Sequence, residues 1–154
     1  MVLSGLNECY KKGLLRKVEP SESKSDMSMS EALNWLEEAR RNVDADALRS
    51  AISSSYNAAF HAARAVLFRD GVREKSHFCV GEYLATYVEK GFIEREWIIL
   101  FDRMRSNRHS QQYSFKPPPS TEEVETLLDA SEDLVERIEG LLRSTSLRDR
   151  PELD

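Results

Sequence analysis

A long helical pattern between residues 45 and 70 constrains the fold of this chain more than any other sequence feature. Its apolar residues recur every three or four positions and, at about 100° per residue, fall on a face about 100° wide. They are Leu48, Ile52, Tyr56, Ala59, Ala63, Val66 and Leu67. A second side is made of alanines, which let a neighbouring helix approach closely. They are Ala51, Ala58, Ala62 and Ala65. We therefore expect a central helix that is buried on two sides.

The remaining arc of this helix is polar and contains Ser53, Asn57, His61 and Arg64. A helix face of this kind is more often solvated than used to bind a ligand. We interpret it as a solvated face.

Similar periodicity predicts further helices over residues 4–15, 30–43, 76–90, 92–108 and 120–142. The serine-rich segment 19–30 predicts a loop, with Ser30 as the cap of the helix that follows. No segment alternates apolar and polar residues as a strand would. The predicted fold is all-α, a four- to five-helix up-and-down bundle with a short extra N-terminal helix.

Composition limits the class of protein. With 154 residues and 40% hydrophobic content, the chain suits a single domain, which we place at residues 1–144, before a disordered charged tail at 145–154. The formal charge of -5 indicates that any nucleic-acid contact is local. No apolar run is long enough to span a membrane. Cys9 and Cys79 are widely spaced, so we expect reduced thiols, a cytoplasmic location, and neither a metal nor another cofactor.

The most informative polar segment is Arg103–Tyr113, where a helical pattern runs into arginine, asparagine, histidine and tyrosine. Two pairs can be formed from it, Arg103 with His109 or Arg108 with Tyr113. With Met104 at zero and about 100° per residue, Arg108 lies at about +40° and extends the inward face. On the same scale Arg103 lies near -100° and His109 near +140°, both away from it. Periodicity therefore favours the Arg108–Tyr113 pair.

Several stretches, in this order and spacing, resemble one known family. They are residues 8–15, residues 55–67 (SYNAAFHAARAVL), Lys75-Ser76-His77, and residues 101–113 (FDRMRSNRHSQQY). The chain resembles the HEPN superfamily and, within it, the short prokaryotic proteins of the UPF0332 type. The resemblance implies a helical bundle that is often dimeric and is frequently encoded beside a minimal nucleotidyltransferase in toxin–antitoxin pairs.

The resemblance also implies a chemistry. Many members are metal-independent ribonucleases whose signature is an arginine followed four to six residues later by a histidine, and Arg103 with His109 has that spacing. Under a second alignment, with the UPF0332 pattern, Arg108 pairs with Tyr113, which is a poorer proton shuttle than histidine because tyrosine has a pKa near 10.

The candidate catalytic residues are thus Arg103, Arg108, His109 and Tyr113. Arg105, Asn107 and Lys116 add local positive charge and polarity, and are the candidate residues for binding RNA or a nucleotide phosphate. No direct role is assigned to His77. Two alternatives stay open: a non-catalytic dimerisation or nucleotide-binding module, and a purely structural role in which Arg108 and Tyr113 fasten the helix end to the bundle.

Overall fold

The computed structural model describes the backbone of residues 2–152 and the side chains of residues 5–152. This part of the chain forms six α-helices, one two-stranded sheet and a short 3-10 helix. In chain order they are α1 (Val2–Lys11), β1 (Leu15–Lys17), α2 (Glu22–Asp44), α3 (Leu48–Asp70), β2 (Val72–Glu74), α4 (His77–Glu89), α5 (Arg95–Tyr113), α6 (Thr121–Ser144) and the 3-10 helix (Leu147–Asp149). The prediction of an all-α bundle is confirmed.

Helix α3 lies at the centre and packs against α2, α4, α5 and α6. Its apolar face is buried from Ile52 to Leu67 and half-buried at Leu48, and the side chains of Ala51, Ala58, Ala62 and Ala65 are fully buried. The prediction of a helix buried on two sides is confirmed. The helix ends as expected at Gly71, whose φ of 78° is readily adopted by glycine.

The serine-rich segment 19–30 is not a loop, and Ser30 is not a cap. Helix α2 begins at Glu22, after Ser21, whose side chain accepts a hydrogen bond from the Lys24 backbone N–H. The hydroxyls of Ser25 and Ser28 donate to backbone carbonyls of α3 at 2.8 and 2.7 Å. The serines are therefore compatible with a helix because their hydroxyls have partners on α3, which the local sequence does not reveal.

The N-terminal helix is shorter than predicted, and a small sheet is present where none was expected. Helix α1 ends at Lys11, before Gly13, which has a φ of 72°. Residues Leu15–Lys17 then pair antiparallel with Val72–Glu74, with Leu15 opposite Glu74. Strands of three residues are too short to show an alternating pattern.

The expectation of reduced cysteines is wrong. Cys9 on α1 and Cys79 on α4 are both buried and form a disulfide with a Cα–Cα distance of 5.9 Å. The bond joins positions 70 residues apart. Two widely spaced cysteines in a sequence do not reveal such a contact, because only the packing of α1 on α4 brings them together.

Residues 145–152, predicted to belong to a disordered tail, contain the 3-10 helix and pack on the bundle. Thr145 and Pro151 are buried. The Arg150 guanidinium donates to the Asp70 carbonyl oxygen at 3.0 Å, and Lys90 donates to the carbonyl of Asp149 at 2.9 Å. The tail is ordered there by side-chain bonds to main-chain oxygens; the domain bounds themselves remain a prediction.

A buried polar network surrounds the C-terminal end of α3, at Arg69 and Asp70. The Asp70 carboxylate accepts hydrogen bonds from Arg69 Nε at 3.0 Å, from the Tyr83 hydroxyl at 2.8 Å, and from the Tyr87 hydroxyl. Arg69 also donates to the Thr145 hydroxyl at 2.8 Å. Burial, followed by the charge of Asp70, raises the pKa values of Tyr83 and Tyr87, so both hydroxyls remain donors.

No helix in the described part of the chain is long and apolar enough to cross a membrane. The cytoplasmic location remains a prediction.

Replacing Asp70 with alanine tests the buried network. The substitution leaves Arg69 as an uncompensated buried charge, so Asp70→Ala should lower the free energy of unfolding by about 3–5 kcal/mol. Urea denaturation followed by circular dichroism measures this. Asp44→Ala, at an exposed aspartate at the end of α2, is the matched control and should change it by about 0.5 kcal/mol or less. A loss below about 1 kcal/mol for Asp70→Ala would show that the network does not stabilise the fold.

Candidate functional site

Helix α5 continues past Arg108, where the sequence predicts its end, to Tyr113. The whole Arg103–Tyr113 segment is therefore helical, and its residues project in directions set by helix geometry. Met104 and Phe101 are buried against the core. This places the candidate residues on two different sides of one helix.

Arg108 lies on the inward side, as periodicity predicts. It is half-buried, and the carbon at the centre of its guanidinium lies 5.1 Å from the centroid of the Tyr56 ring on α3. Tyr56 is fully buried. The contact has the geometry of a cation–π interaction, which aligns the guanidinium with the ring face.

The guanidinium of Arg108 has few partners. Its Nη1 donates to Gln112 Oε1 at 3.4 Å, and its Nε is buried with no hydrogen-bond partner among the described residues. Among the side chains of residues 5–152, no carboxylate lies within ion-pair distance of it, whereas Arg105, one turn earlier, pairs with Asp102 at 2.9 Å. Arg108 thus combines partial burial, a positive charge and donor groups that the fold leaves available.

His77, the first residue of α4, joins this inward cluster. Its Nδ1 shares a hydrogen bond of 2.9 Å with the Tyr56 hydroxyl. Its ring stacks on Phe60 with the centroids 4.0 Å apart and an interplanar angle of 16°. The sequence alone does not indicate a role for His77, because only the packing of α4 on α3 brings it to Tyr56. The available signal was its place in Lys75-Ser76-His77, one of the family-like stretches.

Burial lowers the pKa of His77, and Arg108, Arg105, Arg64 and His61 lower it further. The imidazole is therefore neutral near pH 7. Burial raises the pKa of Tyr56 more than the nearby arginines lower it, so its hydroxyl keeps its proton. In the Nε2–H tautomer of His77, this hydroxyl donates to Nδ1, and Nε2 is a second hydrogen-bond donor in the cluster.

The other candidate catalytic residues lie on the outward side of α5. Arg103 and His109 are exposed, and Tyr113 is 71% exposed. The His109 and Tyr113 rings are in contact, with centroids 4.9 Å apart. Consecutive residues on a helix point about 100° apart, so one chain does not bring His109 to the inward guanidinium of Arg108. Within residues 5–152 of one protomer, no hydrogen bond or ring contact joins Arg103 to His109 or Arg108 to Tyr113.

The three candidate binding residues differ in environment. Arg105 is half-buried, and its guanidinium lies 5.7 Å from the centroid of the Phe78 ring. Asn107 is half-buried on α5. Lys116 is exposed beyond the helix, and its carbonyl oxygen accepts from Arg49 at 3.4 Å. Of these three residues, Arg105 acts on the inward cluster, because its positive charge lowers the pKa of His77.

The polar arc of α3 is less exposed than the sequence indicates. His61 and Arg64 are half-buried, and Arg64 Nε lies 2.7 Å from Glu74 Oε1 on β2. The guanidinium of Arg64 also lies 4.9 Å from the centroid of the Phe68 ring. Within residues 5–152, no group of three or more histidine, cysteine, aspartate or glutamate side chains is placed to hold a metal ion.

Comparison with known proteins identifies the family of the chain. The model of the HEPN domain family matches residues 25–141, a range that includes the inward cluster and the whole Arg103–Tyr113 segment. The chain is also similar to "Putative toxin MJ0605" of Methanocaldococcus jannaschii, with 29% identity over 96 residues, which cover 62% of this chain and 71% of that protein. The match to the family model extends over most of the chain, and the chain therefore belongs to the HEPN domain family.

Proposed function

We propose that this protein is a toxin-like HEPN protein that binds RNA by holding a phosphate at Arg108. The family match and the name of the relative support the toxin-like role. The observation that carries the RNA-binding proposal is the half-buried Arg108 guanidinium, whose Nη1 has only a 3.4 Å contact with Gln112 Oε1 and which pairs with no carboxylate in the described part of the chain. The phosphate of a free nucleotide can accept hydrogen bonds from the same Arg108 donors as an RNA phosphate.

Physical chemistry favours a phosphate as the missing partner. A charge that is partly removed from water costs free energy unless it gains a counter-charge and hydrogen bonds. A phosphate supplies both, and arginine binds its oxygens with two parallel N–H donors. The chain has a net charge of -5, so its overall charge does not attract an anion. The anion is attracted by the local positive charge of Arg105 and Arg108, which lie near His77.

Replacing Arg108 with methionine tests the phosphate site. Hydrogen bonds to a charged group contribute about 1.5–3 kcal/mol, so Arg108→Met should weaken binding of a fluorescein-labelled eight-nucleotide oligoadenylate about 10- to 150-fold in fluorescence anisotropy. Arg103→Met removes an equal charge from the outward side and should weaken binding about twofold or less, as expected for an exposed charge. Equal losses for the two variants would contradict the proposal, since binding would then follow overall charge.

The pH dependence of binding tests the role of His77. Its pKa is lowered from 6.5, and a bound phosphate favours the protonated ring, so oligoadenylate affinity should rise as the pH falls below about 6.5. His77→Gln should abolish the rise. His61→Gln, which alters another half-buried histidine with a lowered pKa, should retain it. A rise that survives in His77→Gln would remove His77 from the site.

RNA cleavage is the second candidate function, favoured by the exposed His109–Tyr113 pair. The outward side of α5 also carries Ile99, which is 47% exposed, and the exposed Phe115 lies just beyond the helix. We propose that two copies of the chain associate along this side, so that His109 of one protomer reaches an RNA held at Arg108 of its partner.

Cleavage within the dimer would need no metal. His109 would take the proton of a 2′-hydroxyl, O2′ would bond to phosphorus, and the bond to O5′ would break. The products would be a 2′,3′-cyclic phosphate and a 5′-hydroxyl that takes its proton from water.

The partner nucleotidyltransferase that the family resemblance implies belongs to the same proposal, and copurification with such a protein would support it.

The substitutions Ile99→Arg and His109→Gln test the dimer and RNA cleavage, and Leu33→Arg is the control. Ile99→Arg should give a monomer in size-exclusion chromatography with light scattering and should abolish cleavage of a fluorogenic RNA. Leu33→Arg, at a similarly exposed leucine on α2 (46% exposed), should leave both unchanged. His109→Gln should lower cleavage at least about 100-fold, the typical contribution of a general base, with RNA binding retained. Cleavage that persists in His109→Gln would contradict its assignment as the proton acceptor.

A further inference from the structure

A groove lined by polar and aromatic side chains lies beside Arg108. It has a volume of about 460 Å³ and is formed by residues of α2, α3 and α5. The lining side chains used below are Trp35, Arg49, Ser53, Asn57, Gln111 and Gln112. Polar and aromatic groups converge here at the end of the helix that carries Arg108.

Two amide side chains in the groove make no side-chain hydrogen bond within residues 5–152. Gln111 continues the inward side of α5, and its Oε1 is buried without a hydrogen-bond partner in this range. Leaving a buried acceptor unpaired costs about 1–3 kcal/mol. Asn57 is half-buried on α3, and no side-chain hydrogen bond is found for it in the described part of the chain. Amides offer both donors and acceptors, which is what the edge of a nucleobase requires.

Trp35 contributes an aromatic surface to the same groove. It is half-buried on α2 and packs against the hydrophobic core, so its position is fixed. Unstacked bases of single-stranded RNA bind by stacking on such side chains, with about 1–3 kcal/mol per base.

Gln112 connects the groove with Arg108. Its Nε2 donates to the Ser53 hydroxyl at 3.4 Å, and its Oε1 accepts from Arg108 Nη1 at 3.4 Å. One side chain therefore spans from the guanidinium to the groove. Base and phosphate of one nucleotide are likewise separated by a single ribose, so both can be bound together.

We propose that the groove binds one unstacked base of a single-stranded RNA whose adjacent phosphate lies at Arg108. The inference rests on the proposed RNA-binding function and extends it to a substrate class. The half-buried side-chain amides of Gln111 and Asn57 contact the polar edge of the base, and Trp35 stacks on its face. Arg49, exposed at the rim, is placed near the following phosphate.

The experiment compares two labelled probes by fluorescence anisotropy: an eight-nucleotide oligoadenylate and an abasic ribose-phosphate chain with the same number of phosphates. The wild-type protein should bind oligoadenylate at least about tenfold more tightly, as expected from stacking and amide contacts. The double variant Asn57→Leu/Gln111→Met should lose most of that difference and bind the abasic chain as the wild type does. Asn7→Leu, at an exposed asparagine on α1, is the matched control and should bind both probes as the wild type does.

Thermal denaturation separates this role from a structural one. Because Gln111→Met removes an unpaired buried acceptor, its Tm should equal or exceed that of the wild type. A lower Tm would indicate that Gln111 serves the fold and would overturn the groove assignment. Equal wild-type affinity for the two probes would also overturn it, while the Arg108 site would stand if Arg108→Met weakened both. Binding that does not depend on Arg108 would refute the phosphate site and this inference with it.

Discussion

The burial of α3 is the constraint on which the rest of the structure depends. Its alanine side allows α2 to approach closely, and the approach is stabilised by serine hydroxyls that donate to α3 carbonyls: Ser25 to Ala65 at 2.8 Å and Ser28 to His61 at 2.7 Å. On another side, Ser131 of α6 donates to the Ser55 carbonyl at 2.7 Å. Small residues thus let three helices pack closely, with the hydroxyls of Ser25, Ser28 and Ser131 paired to carbonyls of α3.

This central helix also places the candidate site. Tyr56 is held rigidly within α3, and α4 and α5 bring His77 and Arg108 against it. A buried aromatic ring cannot be hydrated, so it aligns the guanidinium without neutralising it. The result is a positive group supported by the core, with a neutral histidine donor nearby, and this combination is suited to anion binding. The outward residues of α5, by contrast, are suited to contact with another molecule.

The sequence predicts those features that depend on local periodicity. The position of α3, its two buried sides and the inward orientation of Arg108 all follow from helical spacing. The start of α2 was missed because the partners of Ser25 and Ser28 lie on α3, about 33–40 residues away in sequence. The Cys9–Cys79 bond and the approach of His77 to Tyr56 were missed for the same reason, since both depend on contacts between elements. Helical spacing also separates Arg108 from Arg103 and His109 on α5, but the contact of Arg108 with the Tyr56 ring is seen only in the structure.

The central claim is that the inward side of α5, with Arg108 and His77, binds the phosphate. The chain has three histidines, so one imidazole ¹H–¹⁵N NMR spectrum can resolve them all. Such spectra recorded during titration with adenosine 5′-monophosphate provide the most direct measurement. The account predicts that the ring resonances of His77 shift with saturation while those of His109 stay in place. Shifts at His109 with His77 unchanged would place the anion on the outward side and contradict the account.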